Sequence, residues 1–248
     1  DEVDVAALTE RGIPLTITPG ANMVSVAEHA VMLLLAILRR LPDQHRLTST
    51  GQWHKVRTLT CIEARERAAL VIGHGRIGSR VAPVLKALGM RVLVIDPAFK
   101  PEDLAARGYE PVTDLKAGLA EADAVTIHVP ASIPENRGMV NAGFLAAMKK
   151  GAYFVNTARG DLVDEAALLA ALNSGQVAAA GLDVFRGEPV VEVKNRPLLT
   201  HPNVIVTAHT AAFTDASMRR MGLHAVGACI AACSGGALDP DMVVNGEV

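Results

Sequence analysis

Residues 68–78 read Ala68-Ala69-Leu70-Val71-Ile72-Gly73-His74-Gly75-Arg76-Ile77-Gly78, an apolar run leading straight into a Gly-x-Gly-x-x-Gly turn. Beyond the turn, Ile77, Val81, Leu85 and Leu88 recur at helical spacing ahead of Gly89, which predicts an amphipathic helix stopped by a glycine. A strand, a glycine-rich turn and a helix in that order hold a pyrophosphate on backbone N–H groups and a helix dipole. Gly73 permits the turn, Gly75 lets the backbone approach the pyrophosphate, and Gly78 allows close packing of helix on strand. The next apolar run, Arg91 to Ile95, ends in Asp96-Pro97, close to the offset of about 20 residues at which an acid binds the adenosine ribose. An acid there accepts from both ribose hydroxyls and repels a 2′-phosphate, so the cofactor expected is NAD, held by Gly73, Gly75, Arg76, Ile77, Gly78, Asp96 and Pro97. His74, between the glycines, reads as a tolerated surface side chain.

Outward from this unit, apolar runs alternate with amphipathic stretches, the rhythm of a parallel sheet with crossover helices. Strands are expected at Ala69 to Ile72, Arg91 to Ile95, Ala124 to His128, Tyr153 to Asn156, Ala179 to Asp183 and Val204 to Thr207. Asp164 caps a helix through Leu172 that stops at Gly175. The fold class is α/β with a doubly wound parallel sheet, and Ala68 to Thr207 behaves as one domain.

Upstream, Ser25-Val26-Ala27-Glu28 has a capping-box pattern and predicts a helix beginning at about Val26. Its stretch Ala30 to Leu38 is the most hydrophobic of the chain, yet well short of the ~20 residues a membrane span needs. With almost no polar face, this helix needs cover all round, either from the core or from a second subunit.

The 248 residues carry a net charge of −2 and are 50% hydrophobic, an ordinary soluble composition without the basic footprint of a nucleic-acid or anionic-membrane partner. Cys61, Cys229 and Cys233 are too few for a zinc site and read as buried free thiols in a reducing, cytoplasmic compartment. No metal is expected, and small molecules are the expected partners.

Three downstream segments carry acid–base chemistry: Asn156-Thr157-Ala158-Arg159-Gly160, Arg186-Gly187-Glu188-Pro189 and Thr207-Ala208-His209-Thr210. Moving a hydride between a nicotinamide and a carbonyl needs a proton donor for the oxygen, a cation for an acidic substrate, and exclusion of water. Arg159 lies past the C-terminal end of an apolar strand, where open α/β sheets bind ligands, and its fork can take a carboxylate bidentately. His209 lies past another such strand. Glu188, in a Gly-Glu-Pro turn, can pair with that histidine, fix its tautomer and favour its protonated form.

With these segments in place, the chain resembles the D-isomer-specific 2-hydroxyacid dehydrogenases essentially end to end. Asp4-Val5 through Arg11-Gly12-Ile13-Pro14, Thr18-Pro19-Gly20-Ala21-Asn22, Ser25-Val26-Ala27-Glu28, the glycine loop, Asn156 to Gly160, Leu162-Val163-Asp164-Glu165, Leu182-Asp183-Val184-Phe185 and Glu188-Pro189 carry the likeness. The resemblance implies that Arg159 binds the substrate carboxylate and carbonyl oxygen, that His209 is the general acid/base, and that Glu188 supports it. It further implies that Asp183 holds the nicotinamide carboxamide, that Thr157, Ala158, His128, Val129 and Pro130 line the NAD groove, and that the helix over residues 25–40 belongs to a homodimer interface. The expected substrate is a small D-2-hydroxy or 2-keto acid.

Glu188 in place of Gln argues against the formate-oxidising branch. The family usually has Pro before the histidine, whereas Ala208 stands here, closer to the D-lactate-like variant. In the family a flavodoxin-like substrate domain precedes the segment that opens this chain. The expected organisation is therefore a trailing segment of that domain at 1–17, the dinucleotide-binding domain at 18–210, and a C-terminal return at 211–248. Two alternatives share the fold: an NAD-responsive corepressor-like binding protein, and an NAD-binding fragment with little activity.

Overall fold

The computed structural model describes residues 3–189 and 192–246, so residues 1–2 of the expected segment 1–17 and residues 247–248 of the expected segment 211–248 lie outside the described residues. In chain order the first elements are α1 (Val5–Glu10), α2 (Met23–Leu38), α3 (Leu41–Ser49), α4 (Trp53–Val56), β1 (Ala68–Ile72), α5 (Gly78–Ala87), β2 (Arg91–Ile95) and α6 (Pro101–Ala106). There follow β3 (Glu110–Pro111), α7 (Leu115–Glu121), β4 (Ala124–Ile127), α8 (Ala142–Ala147), β5 (Ala152–Asn156), α9 (Glu165–Asn173), β6 (Val177–Leu182), β7 (Val204–Val206) and α10 (Asp215–Cys233). The strands form one seven-stranded parallel sheet in the order β3-β2-β1-β4-β5-β6-β7.

Alternation along the strands divides the core in two, because successive side chains point to opposite faces of a sheet. Leu70, Ile72, Leu93, Val125, Ile127, Phe154 and Leu182 pack on the side of α7, α8 and α9. Ala69, Val71, Val92, Val94, Ala124 and Val155 pack on the side of α2, α5 and α6, against Leu33, Leu34, Ile37, Val81, Leu85 and Leu104. Strands buried on both faces explain the continuous apolar runs. Asp164 caps α9 by accepting from the backbone N–H groups of Ala166 and Ala167 at 3.0 and 3.1 Å.

Four expectations need correction. The sheet has a seventh strand, β3, whose two exposed residues end in Pro111 and give no apolar run to read. His128, Asp183 and Thr207, expected as last residues of strands, lie just past the ends of β4, β6 and β7. The α2 helix starts at Met23, entered from a turn in which Met23 N–H donates to Gly20 O, so Ser25 is a buried residue inside its first turn and not the cap. The free cysteines are not buried: Cys229 and Cys233, near the end of α10, are exposed and Cys61 is half-buried.

The protein's own core covers most of α2, including Ala27, Ala30, Leu33, Leu34, Ile37 and Leu38, while Val24 and Met32 on its outer stripe are 43% and 47% exposed. Contacts divide the chain into two compact units, Val26–Ala211 and the pairing of Asp1–Ser25 with Ala212–Val248. In the smaller unit Thr16 bridges Val243, and Asn245 ties down the main chain of Leu15 and Ile13. Among the described residues no helix is long and apolar enough to cross a membrane.

Candidate active site and cofactor groove

The strand order reverses direction between β1 and β4, the switch point at which open α/β sheets hold ligands beyond the strand ends. The glycine turn after β1 and the His128-Val129-Pro130 segment after β4 flank that point. A side chain could not be added at the outer glycines: a Cβ on Gly78 would lie 1.9 Å from Gly73 O, and one on Gly73, whose φ is +89°, 2.9 Å from His128 O and Val129 Cγ1. A Cβ on Gly75 would meet nothing within 4 Å among the described residues. Two positions are thus closed by the fold itself, and the middle one faces open space. Arg76 is exposed on the turn, and Ile77 enters α5 at the N-cap position without a side-chain capping bond, while Ser79 N–H donates to Gly75 O at 3.0 Å and Arg80 N–H to Ile77 O at 2.8 Å. Two buried polar atoms just past β4 and β5, His128 Nδ1 and Thr157 Oγ1, have no hydrogen-bond partner among the described residues. A glycine turn open at Gly75 at the start of a helix and orphaned polar atoms at strand ends fit a dinucleotide.

Asp96, half-buried past β2, accepts from His74 N–H at 2.6 Å and Ala98 N–H at 2.9 Å, so the expected ribose acid also fastens the glycine turn to its neighbouring strand. Pro97 beside it is exposed. His74 is not the surface residue its position suggests. It is 1% exposed, its ring meets Phe99 and Tyr109 edge-on at 5.2 and 5.3 Å, and burial holds it below the usual histidine range, with Arg107 adding to that shift and Asp96 opposing it. The chain turns His74 inward, toward Phe99 and Tyr109 on either side of α6 in the sequence, which the local pattern does not reveal. His128 is held neutral more strongly, burial taking it down to about 3, and its Nε2 lies 3.0 Å from Thr126 Oγ1.

On the other side of the switch, β5 ends in Asn156, whose fully buried amide works as a clamp. Its Oδ1 accepts from Ala158 N–H and its Nδ2 donates to Arg159 O, each at 2.9 Å, folding Thr157, Ala158 and Arg159 over the strand end. Arg159 is exposed, and its Nη1 donates to the adjacent Ala158 O at 2.7 Å. Gly160 then runs flush against the next loop, for a Cβ there would lie 2.0 Å from the Phe185 carbonyl carbon. The arginine loop and the turn that carries Glu188 are therefore seated on each other. Glu165, first residue of α9, steadies that turn by accepting from Arg186 N–H at 2.9 Å and from Arg196 at 2.5 Å.

Glu188 receives the backbone N–H of Phe185 on Oε1, while its Oε2 lies 2.5 Å from His209 Nδ1. An ionised carboxylate only accepts, so the proton sits on Nδ1 of the imidazole and Nε2 is the nitrogen that can exchange one with a ligand. His209 remains half exposed, and its φ of +53° puts a non-glycine residue in the left-handed region at a cost of about 1–3 kcal/mol. Asp183, just past β6, is fully buried: its carboxylate accepts from the N–H groups of Thr210 and Ala211 at 2.9 and 3.0 Å and from the Thr207 hydroxyl. Sequence reasoning paired Glu188 with His209 and grouped Thr157, Ala158 and Arg159. It passed over Asn156, Glu165 and Thr207, although a polar residue closing an apolar strand was a usable signal in the first and last cases.

A parallel sheet with a glycine turn at its switch point, and a histidine–carboxylate pair on loops beyond neighbouring strands, defines a dinucleotide-binding α/β domain equipped for proton transfer. Residues 31–211 match the D-isomer specific 2-hydroxyacid dehydrogenase, NAD binding domain, and the chain belongs to that family. Its cofactor is NAD. The chain is 42% identical over 223 residues to D-3-phosphoglycerate dehydrogenase of Archaeoglobus fulgidus, covering 90% of this chain and 41% of the relative. It is 37% identical to glyoxylate reductase of Aeropyrum pernix, covering all of this chain and 74% of the relative. The crystal structure of D-lactate dehydrogenase from Aquifex aeolicus complexed with NAD and lactic acid superposes with a TM-score of 0.89 at 32% identity, covering 100% of this chain and 78% of that one. The chain therefore spans less than half the length of the phosphoglycerate dehydrogenase it matches.

Proposed function

We propose that this protein serves an NAD-dependent dehydrogenase acting on a small D-2-hydroxy acid and its 2-keto acid. The observation that carries the reading is the 2.5 Å pairing of His209 Nδ1 with Glu188, which directs Nε2 of an exposed imidazole outward on the loops beside the cofactor groove. NAD, when bound, supplies the acceptor or donor of hydride. Arg159 clamps the substrate carboxylate through its guanidinium, and its loop is seated through Gly160 on the turn that carries Glu188. In keto-acid reduction, protonated His209 gives the proton on Nε2 to the carbonyl oxygen, and Glu188 holds the proton on Nδ1. In hydroxy-acid oxidation, neutral His209 takes the hydroxyl proton on Nε2. Reduction therefore uses the protonated imidazole and oxidation the neutral one.

The remaining assignments follow from the same reading. Gly73, Gly75, Arg76, Ile77 and Gly78 hold the pyrophosphate, Asp96 with Pro97 the adenosine ribose, and Thr157, Ala158, His128, Val129, Pro130 and Asp183 the nicotinamide side. Residues 1–17 and 211–248 belong with a substrate domain, whose contacts select among phosphoglycerate-, glyoxylate- and lactate-type acids. The outer stripe of α2, with Met32 and Val24 open, suits a homodimer interface, and a cytoplasmic setting suits the free thiols. The test is NADH oxidation with a panel of 2-keto acids, product chirality read by chiral chromatography: a D product lost in His209→Ala supports the assignment, and wild-type turnover in that variant, or an L product, overturns it.

A further inference from the structure

We propose that His29, on α2, is a positioning residue for His209, acting through Thr207 and Asp183; the proposal rests on the acid–base role assigned to His209 above. Asp183 holds the histidine loop on both sides of the strained residue. Its main-chain carbonyl accepts from His209 N–H at 2.8 Å, and its carboxylate accepts from the next two N–H groups, Thr210 on Oδ1 at 2.9 Å and Ala211 on Oδ2 at 3.0 Å. A φ of +53° at His209 is thus bracketed by three bonds to one buried residue.

The carboxylate is in turn oriented from α2. Thr207 Oγ1 lies 2.5 Å from Asp183 Oδ1, and His29 Nε2 lies 2.9 Å from Thr207 Oγ1 and 3.5 Å from Asp183 Oδ1. Hydrogen accounting leaves one arrangement. An ionised carboxylate accepts only, so the single hydroxyl proton of Thr207 goes to Asp183, and the threonine oxygen is left to accept from His29. His29 must then carry its proton on Nε2. The imidazole side chain is only 15% exposed on a helix whose neighbouring inward residues, Ala30, Leu33 and Ile37, are apolar. A polar ring kept on such a face is accounted for by the bond it makes. The relay runs from α2 through a hydroxyl to a carboxylate and on to the two amides beyond His209, so a helix on one face of the sheet fixes the backbone of a loop at its C-terminal end.

Amide hydrogen exchange in the 248-residue protein tests this without requiring turnover. In His29→Ala, and in Thr207→Val, which keeps the side-chain shape without the hydroxyl, exchange at Thr210 and Ala211 should accelerate roughly tenfold. Leu70 and Leu93, in the centre of the sheet, should be unchanged. His29→Gln places an amide donor near the Nε2 position and should restore exchange at both residues to within about threefold of wild type. In a 2-keto acid assay the two loosened variants should lose kcat. Unchanged exchange at Thr210 and Ala211, equal acceleration throughout the sheet, or no rescue by His29→Gln would overturn the relay; should His29→Ala not fold, Thr207→Val decides alone. If His209→Ala keeps its turnover, the catalytic reading fails, and the exchange data still judge the relay.

Discussion

Around Gly73–Gly78 the site is made of main chain, whereas around Arg159, Glu188 and His209 it is made of side chains on exposed loops. Both regions sit beyond the C-terminal ends of the same parallel sheet, yet they are held in different ways. The glycine turn is fixed by steric closure, with Gly78 against Gly73 O and Gly73 against His128, and by one carboxylate, Asp96, bonded to its main chain. The acid–base region is fixed by polar side chains beneath its loops: buried Asn156 under the arginine loop, buried Asp183 under the histidine loop, and half-buried Glu165, at the start of α9, under the glutamate turn. Phosphate recognition asks for many N–H groups pointing one way, which backbone supplies at low entropy. Proton transfer asks for one titratable atom in one place, which a half-exposed histidine supplies only if its backbone is clamped.

The contrast breaks most sharply in the side-chain region. His209→Ala should lower kcat by roughly 10²–10⁴-fold with NAD affinity nearly intact, as measured by steady-state kinetics beside calorimetric titration. Glu188→Gln should lower kcat by about 10–10²-fold, since the amide can no longer favour the Nδ1-protonated ring; a wild-type rate would remove Glu188 from the account. In the main-chain region the order of effects is reversed, with the fold suffering alongside the ligand. Gly78→Ala should destabilise the domain by about 1–3 kcal/mol in urea unfolding, because a Cβ there meets the Gly73 carbonyl. Gly75→Ala sharpens the comparison: with no neighbour within 4 Å it should leave the melting temperature unchanged while weakening NAD binding, and equal loss of both would show the middle glycine to be structural.

The last expected effect concerns pH. His128 titrates at about 3 in the folded protein against 6.5 when unperturbed, and His74 is lowered in the same direction, both through burial. Between those values the unfolded chain binds more protons than the folded one, so stability is full above pH 6.5 and is lost as pH falls through that window. Urea midpoints of His128→Gln should flatten across that range; an unaltered pH slope would contradict the assignment.

The sequence disclosed what is periodic or punctuated. The apolar runs, the glycine turn, Asp96, the Asp164 cap and the pairing of Glu188 with His209 were all legible from spacing or motif. What escaped it depends on approach in three dimensions. His74 lies between two glycines and gives no local sign that Phe99 and Tyr109 enclose it. Ser25 mimics a cap, yet the turn before it starts the helix at Met23. Two-residue β3 has no run to detect. His29 and Thr207 are 178 positions apart and meet only because α2 packs against the sheet.

The central claim is that the main-chain and side-chain regions serve one bound dinucleotide. Titration of the protein with NAD, followed by backbone amide and histidine ring resonances, tests it directly. The account predicts perturbation at Gly73–Gly78 and Asp96 together with Thr157, Ala158 and the His209 ring, at a common midpoint. Perturbation confined to the glycine turn, with Thr157 to Arg159 and His209 unmoved at saturation, would contradict it.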